Sequence, residues 1–111
     1  FQFIVGTEAI AQGALDAGAC GVIAGLANVF PEMLTDFYET WKKGDAKATA
    51  EKQLRIVQAR AVMKYGPTLT MTYAVLRMRG IDPGFPKAPH REISRELYDR
   101  ARGELREMGL V

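Results

Sequence analysis

The stretch Phe1–Ala24, FQFIVGTEAIAQGALDAGACGVIA, carries most of the information about the fold. It opens with apolar, strand-forming residues that stop at Gly6, which predicts a short strand over Phe1–Val5. It closes with small and branched apolar residues flanked by glycine. That run is too short for a helix and predicts a second, fully buried strand over Gly21–Ala24.

The segment between these two strands has the pattern of a helix. Thr7 can cap its start, alanine and leucine recur at helical spacing over residues 8–17, and Gly18 can supply a left-handed stop. Strand, helix and strand in this order indicate a βαβ unit with a right-handed crossover. The two strands are then parallel, and both end at the same edge of the sheet.

Helices are predicted for most of the remaining chain. Pro31 suits the first position of one helix, Asp45 caps a second that runs to about Tyr65, and Ser94 caps the last before Gly109 stops it. In the second of these helices, the apolar spacing predicts a main buried seam of Leu54, Val57 and Ala61, helped by Ala46, Ala50 and Ile56. A further helix is predicted over residues 68–79, followed by a loop over residues 80–89 that is rich in proline and glycine.

Two parallel strands cannot form a stable sheet alone, because their outer edges stay unpaired. We therefore expect another strand to pair with Phe1–Val5, so that the chain is a piece of a larger barrel or sheet. A closed eight-stranded α/β barrel needs about 250 residues, more than the 111 present. We predict that residues 1–43 hold the last two β/α units and that residues 44–111 form a C-terminal helical extension.

Composition excludes several classes of protein. Apolar runs fall far short of the roughly 20 residues that a membrane helix needs. Phe1 is not preceded by a basic segment, so we expect no secretory signal. A lone cysteine, Cys20, permits no internal disulfide and fits the cytoplasm, and its small neighbours predict a packed, inert thiol.

Charge is unevenly distributed along the sequence. Residues 1–41 hold five acidic residues and no Lys or Arg, whereas residues 42–111 hold fifteen basic and eight acidic residues. A basic segment can bind nucleic acid. Here the bases alternate with acids at helical spacing and no aromatic ladder accompanies them, so solvated helix faces are the favoured interpretation and no nucleic-acid partner is expected.

Candidate functional groups cluster after the two predicted strands. Gly6 and Gly25 leave main-chain groups open to a small carboxylate or carbonyl, although tight turning explains both glycines equally well. Glu8 and Glu32 follow the strand ends, where helix capping is again an equal explanation. His90 is the only histidine, and no metal-ligand spacing accompanies it, so no metal site is predicted.

Residues 4–32 resemble the C-terminal part of the dihydrodipicolinate synthase and N-acetylneuraminate lyase superfamily, the class I pyruvate-dependent aldolases. The resemblance covers essentially the whole chain, and its last helix ending at Gly109 also fits. The matching phrases lie in order: AGACGVI at Ala17–Ile23, ANVFPE at Ala27–Glu32, KGDAKAT at Lys43–Thr49 and RGIDPGFPKAP at Arg79–Pro89.

This resemblance implies an α/β fold: the last two strands and helices of a (β/α)8 barrel, mostly helical as a fragment. It implies a lyase in which a lysine of the sixth strand forms a Schiff base with pyruvate or another 2-oxo acid, and an aldehyde is added or released. That strand lies outside this sequence. The chain is therefore expected to hold no catalytic residue and to be inactive without the N-terminal barrel portion. No cofactor is implied, and a cytoplasmic homo-oligomer, a dimer or tetramer, is expected.

The resemblance assigns a substrate-binding rim to this chain. Gly6 matches the glycine that ends the seventh strand, and Ile23 matches the residue whose main-chain carbonyl lies beside the pyruvyl group. Thr7, Glu8 and Gly25 match positions that face the distal part of the substrate. Neuraminate lyases differ at these positions, which favours a 2-keto-3-deoxy sugar acid aldolase or a 4-hydroxy-tetrahydrodipicolinate synthase. Two alternatives remain, a non-catalytic helical module for oligomerisation and a basic nucleic-acid binder.

Overall fold

The computed structural model describes all residues, 1–111, as two compact units, Phe1–Gln58 and Ala59–Val111. The chain is mostly helical with two short strands, as the sequence predicts. No helix has both the length and the apolar character that crossing a membrane requires. In chain order the elements are β1 (Ile4–Val5), α1 (Ala11–Asp16), β2 (Gly21–Val22), α2 (Pro31–Lys42), α3 (Ala46–Met63), α4 (Thr68–Met78) and α5 (Arg95–Glu107), with 3-10 turns at Glu8–Ile10 and Gly25–Asn28.

The predicted βαβ start is confirmed. Strands β1 and β2 are parallel, with Ile4 opposite Gly21 and Val5 opposite Val22. The glycine that ends the intervening helix, Gly18, has a φ of 96°, a conformation that only glycine adopts without strain. Because each strand holds only two residues, the ladder is short and the strand ends lie next to each other.

The prediction that these strands are fully buried is wrong for this chain. Ile4 is 55% exposed and Ile23 is 70% exposed. The packed thiol predicted at Cys20 is also exposed, and its Sγ donates to the carbonyl oxygen of Phe3 at 3.2 Å. The exposure of Ile4, Ile23 and Cys20 has one physical reason. A parallel strand is covered by neighbours on both sides and faces, and here each strand has only one neighbour.

The first unit has a compact apolar core behind the strands. Phe30 and Phe37 are 0% and 1% exposed, and Leu26 and Val29 are also buried. Helix α2 begins with Pro31 at its first turn, as predicted, where the missing N–H costs nothing. Near its other end, the indole N–H of Trp41 donates to Asp16 at 2.8 Å and so ties α2 to the end of α1.

Helix α3 begins where the sequence predicts, with Asp45 accepting from the backbone N–H of Ala48 at 2.9 Å. The predicted main seam is wrong, although Ile56, predicted to help it, is fully buried. Leu54 is 58% exposed, Val57 is 39% exposed and Ala61 is exposed as well. The buried residues of this helix are Thr49, Ile56, Ala59, Val62 and Met63. Since small alanines occur all round the helix, apolar spacing alone does not identify the buried side.

The second unit packs α4 against α5 through Met71, Val75, Ala101 and Leu105, each fully buried. Ser94 caps α5 by accepting from the N–H of Leu97 at 3.2 Å, as predicted. The loop between these helices has no regular secondary structure.

Polar contacts also hold the second unit together. Arg77 pairs with Glu92, donates to the carbonyl of Gly84 and lies over the ring of Phe85 at 5.2 Å. The phenol of Tyr65 donates to Glu104 at 2.5 Å, and this hydrogen bond raises the pKa of Tyr65 above its usual value. The loop and the chain before α4 are thus fixed to the helices by charged groups.

Substituting alanine for two glycines of this unit should change the free energy of unfolding in opposite directions. Gly103 lies within α5 with no atom within 4 Å of an added methyl group, so Gly103→Ala should raise the free energy of unfolding by about 0.5–1 kcal/mol through helix propensity. A methyl group at Gly66 would lie 3.2 Å from Leu97 and 3.4 Å from Met71, and Gly66→Ala should lower it by about 1 kcal/mol through overpacking. Urea denaturation of both variants measures the difference. A gain from Gly66→Ala equal to that from Gly103→Ala would contradict the tight packing.

Candidate functional site

The ends of β1 and β2 meet at one edge of the sheet. The backbone N–H of Ile23 donates to the carbonyl of Val5 at 2.9 Å, which brings the residues after each strand side by side. Gly6 and Gly25 follow the two strands, and both are exposed. No atom lies within 4 Å of an added Cβ at either glycine. The edge is therefore an open rim where main-chain groups are accessible.

Thr7 and Glu8 turn the chain away from β1. The hydroxyl oxygen of Thr7 accepts from the N–H of Ala9 at 3.3 Å and caps the 3-10 turn, as predicted for this residue. Glu8 is only 7% exposed, so its side chain points into the first unit rather than into solvent. The structure thus places Gly6, Thr7 and Glu8 in sequence along the rim, with Ile23 and Gly25 opposite.

The tight turn that is one of the two explanations for Gly25 is present just after β2. Residues Gly25–Asn28 form a 3-10 turn, and the side-chain amide of Asn28 donates to the carbonyl of Gly25 at 3.1 Å. This hydrogen bond fixes the backbone of Gly25 at the rim. Glycine and asparagine are both common in turns.

Gln53 is a residue that sequence reasoning missed. From α3 its side-chain nitrogen donates to the carbonyls of Glu8 at 3.0 Å and Ala9 at 3.3 Å. Its side-chain oxygen accepts from the N–H of Gln12 at 2.9 Å. One side chain therefore holds the backbone directly after Thr7. Gln53 is 41 to 45 positions away from these three partners in the sequence, and no local pattern reveals such contacts.

The lysines lie away from the strands. They occupy α2 and its end, α3, the segment after α3 and the loop before α5: Lys42, Lys43, Lys47, Lys52, Lys64 and Lys87. Lys42 pairs with Glu39, and Lys52 pairs with Asp36. No three His, Cys, Asp or Glu side chains come together as a metal site would require. The rim thus offers backbone groups and the hydroxyl of Thr7 but no amine, and the carboxyl of Glu8 beside it is buried.

The second unit has a cleft of about 480 Å³, lined by Tyr73, Arg77, Tyr98 and neighbouring residues. The guanidinium group of Arg77 already pairs with Glu92 and donates to the carbonyl of Gly84. The cationic charge of Arg77 therefore holds the loop in place, and the rim of the first unit remains the candidate site.

Comparison with known families identifies the chain. A sequence model of the dihydrodipicolinate synthetase family matches residues 1–108. The chain belongs to the dihydrodipicolinate synthetase family. This confirms the resemblance seen in the sequence.

Curated relatives match the whole chain but are much longer. An uncharacterised DapA-like lyase of Halobacterium salinarum is 29% identical over 109 residues, which is 98% of this chain and 36% of that protein. A 4-hydroxy-tetrahydrodipicolinate synthase of Methanopyrus kandleri is 26% identical over 111 residues, which is 100% of this chain and 37% of that protein. The chain thus spans little more than a third of these dihydrodipicolinate synthetase relatives.

Solved structures also match nearly the whole chain and are much longer than it. A variant of the 2-keto-3-deoxygluconate aldolase of Sulfolobus solfataricus superposes with a TM-score of 0.87 at 15% identity, over 96% of this chain and 36% of that one. A dihydrodipicolinate synthase of Bacteroides thetaiotaomicron superposes with a TM-score of 0.85 at 25% identity, over 96% of this chain and 38% of that one. The fold of this member of the dihydrodipicolinate synthetase family therefore corresponds to part of a larger structure.

Proposed function

We propose that this chain is the C-terminal portion of a Schiff-base lyase that makes or breaks a carbon–carbon bond next to pyruvate. The observation that carries the proposal is the open rim: two parallel strand ends with exposed glycines and no lysine on either strand. The match to the dihydrodipicolinate synthetase family over residues 1–108 supports it. On this proposal the reactive lysine lies on a strand outside this chain.

In such an enzyme the protonated imine withdraws electrons from the adjacent carbon, so that a carbanion can form there. This chain contributes the wall of the pocket. The proposal assigns Gly6 to leave room beside the pyruvyl group and the carbonyl of Ile23 to contact it. Thr7, Glu8 and Gly25 are assigned to the distal part of the substrate, which is the aldehyde portion.

For the substrate we propose a 2-keto-3-deoxy sugar acid, with the 4-hydroxy-tetrahydrodipicolinate synthase reaction as the second candidate. The rim sequence Gly6-Thr7-Glu8 lacks the residues expected of a neuraminate lyase. The loop carries Lys87 where the family's pattern has arginine, which keeps the charge but loses the planar, bidentate fork. Both candidates use pyruvate or another 2-oxo acid together with an aldehyde.

The partner of this chain is proposed to be the N-terminal barrel portion of the same enzyme. Apolar side chains exposed on and beside β1 support this, since Phe3 is 39% exposed and Ile4 is 55% exposed. An apolar hollow of about 250 Å³ also lies against β2, lined by Val22, Leu34, Phe37 and Tyr38 among others. A cytoplasmic homo-oligomer, a dimer or tetramer, belongs to the same proposal.

Trapping of the imine tests the proposal. The chain is combined with the rest of its barrel to give the assembled enzyme, which is treated with pyruvate and borohydride and then analysed by peptide mass spectrometry. One lysine should gain the reduced pyruvyl group, and that lysine should lie outside residues 1–111. The matched control is this chain alone, which should remain unlabelled. Labelling of Lys42, Lys47 or another lysine of this chain would contradict the proposal, as would an assembled enzyme without label.

A non-catalytic interaction module is the second candidate function. It is favoured by Leu54 and Val57, two apolar side chains that α3 leaves exposed. On this alternative, α3 packs against another copy of the chain and the assembled protein forms no imine with pyruvate.

A further inference from the structure

The side chain of Gln53 makes three hydrogen bonds, all to the backbone that follows the rim. Two carbonyls, those of Glu8 and Ala9, accept from its nitrogen at 3.0 and 3.3 Å. The N–H of Gln12 donates to its oxygen at 2.9 Å. Glutamine is suited to this, because its amide group presents donors and acceptors on one planar group.

These hydrogen bonds add to the local ones: the carbonyl of Glu8 also accepts from the N–H of Ala11, so Gln53 supplies it with a second donor. The first N–H groups of a helix have no acceptor within the helix, and residue Ile10 at the start of α1 makes no side-chain cap. Gln12 lies in that first turn, so Gln53 acts as a cap supplied from another helix. Gln53 is half-buried, where the loss of a hydrogen bond destabilises the segment more than it does in open solvent.

We infer that Gln53 is a positioning residue for the substrate rim, an inference that rests on the proposed function. The carbonyl of Glu8 is one residue from Thr7 and two from Gly6, so holding it fixes where the rim turns away from β1. Thr7 and Glu8 are the residues assigned to the distal part of the substrate. Gln53 therefore acts on binding of that part and leaves the imine with pyruvate unaffected.

The test uses Gln53→Leu and Gln53→Glu in the assembled enzyme. Leucine removes all three hydrogen bonds. Glutamate keeps an acceptor for Gln12 and loses the donor to the two carbonyls. Gln58→Leu is the matched control, since Gln58 is an exposed glutamine of the same helix.

Both Gln53 variants should raise KM for a 2-keto-3-deoxy sugar acid about ten-fold, because small displacements of positioning groups reduce productive binding strongly. The rate of borohydride trapping with pyruvate alone should stay within about two-fold of the unsubstituted enzyme, since the imine forms away from the distal part. Hydrogen exchange of the Gln12 amide should speed up in Gln53→Leu and not in Gln53→Glu. The control, Gln58→Leu, should change neither KM, nor the trapping rate, nor the hydrogen exchange of the Gln12 amide.

The outcomes separate the two proposals. If the unsubstituted enzyme forms no imine with pyruvate, the proposed function fails and the role of Gln53 fails with it. If the imine forms and KM is unchanged in both variants, the function stands and the positioning role is wrong. A fall in trapping rate equal to the rise in KM would also overturn it, because a general loss of structure affects both.

Discussion

Replacing Gly6 by valine should lower kcat/KM of the assembled enzyme by about 100-fold or more, with little change in its melting temperature. Gly6 follows β1 at the open rim, and its φ lies outside the left-handed region, so a side chain there meets no left-handed strain. No atom of this chain lies within 4 Å of an added Cβ. The extra side chain therefore occupies the space assigned to the pyruvyl group, where a misplacement of about 1 Å costs roughly 100-fold in rate.

Gly13→Ala is the control for this change. Gly13 lies in α1, away from the rim, and it too has no atom within 4 Å of an added Cβ. It should leave kcat/KM unaltered. Gly6→Ala should fall between the two, because one methyl group fills less of the pocket. If Gly6→Val lowers the melting temperature as severely as the activity, the side chain meets protein rather than substrate, and the assignment of Gly6 to the rim is wrong.

Local chemistry made the start of the fold predictable. Gly18 must end the first helix because only glycine takes its φ of 96° without strain. Thr7, Asp45 and Ser94 each accept a backbone N–H close to them in sequence, and such caps are visible in a sequence because their partners are two or three residues away. The parallel strands then follow from the order of the elements.

Features that depend on distant partners were not predictable. The buried side of α3 is set by what packs on it, and apolar spacing favoured Leu54 over Ile56, whereas Ile56 is the buried residue. The contact of Gln53 with residues after β1 joins positions 41 to 45 apart. The exposure of Ile4 and Ile23 depends on which neighbouring strands are present, which periodicity does not report.

Some features of the candidate site could be predicted from the sequence and others could not. That Gly6 and Ile23 lie side by side follows from parallel strands, and the hydrogen bond from Ile23 to Val5 confirms it. The roles assigned to Thr7, Glu8 and Gly25 rest on the family resemblance, and they stay predictions. The burial of Glu8 could not be foreseen, because an acid after a strand is equally typical of an exposed helix start.

Ile4→Lys and Leu54→Lys should have opposite consequences under the two candidate functions. Ile4 is 55% exposed and Leu54 is 58% exposed, so the two are closely matched apolar residues of this chain. On the barrel proposal, β1 of the assembled enzyme lies in a parallel sheet that is covered on both faces. Ile4→Lys then buries a charge without a partner and should lower the free energy of unfolding by roughly 3–5 kcal/mol.

On the same proposal Leu54 lies on an outer helix, and substitutions on a surface change the free energy of unfolding by about 0.5 kcal/mol or less. Urea denaturation of the assembled enzyme measures the free energy of unfolding of both variants. Phe37→Ala is the reference for a fully buried site, since Phe37 is only 1% exposed, and it should lower the free energy of unfolding by about 3–5 kcal/mol. If α3 is instead the interface of a non-catalytic module, Leu54→Lys breaks its assembly in sedimentation experiments, whereas Ile4→Lys is harmless. The reversed order would therefore remove the barrel proposal, because a strand that tolerates lysine at Ile4 is not enclosed by neighbouring strands.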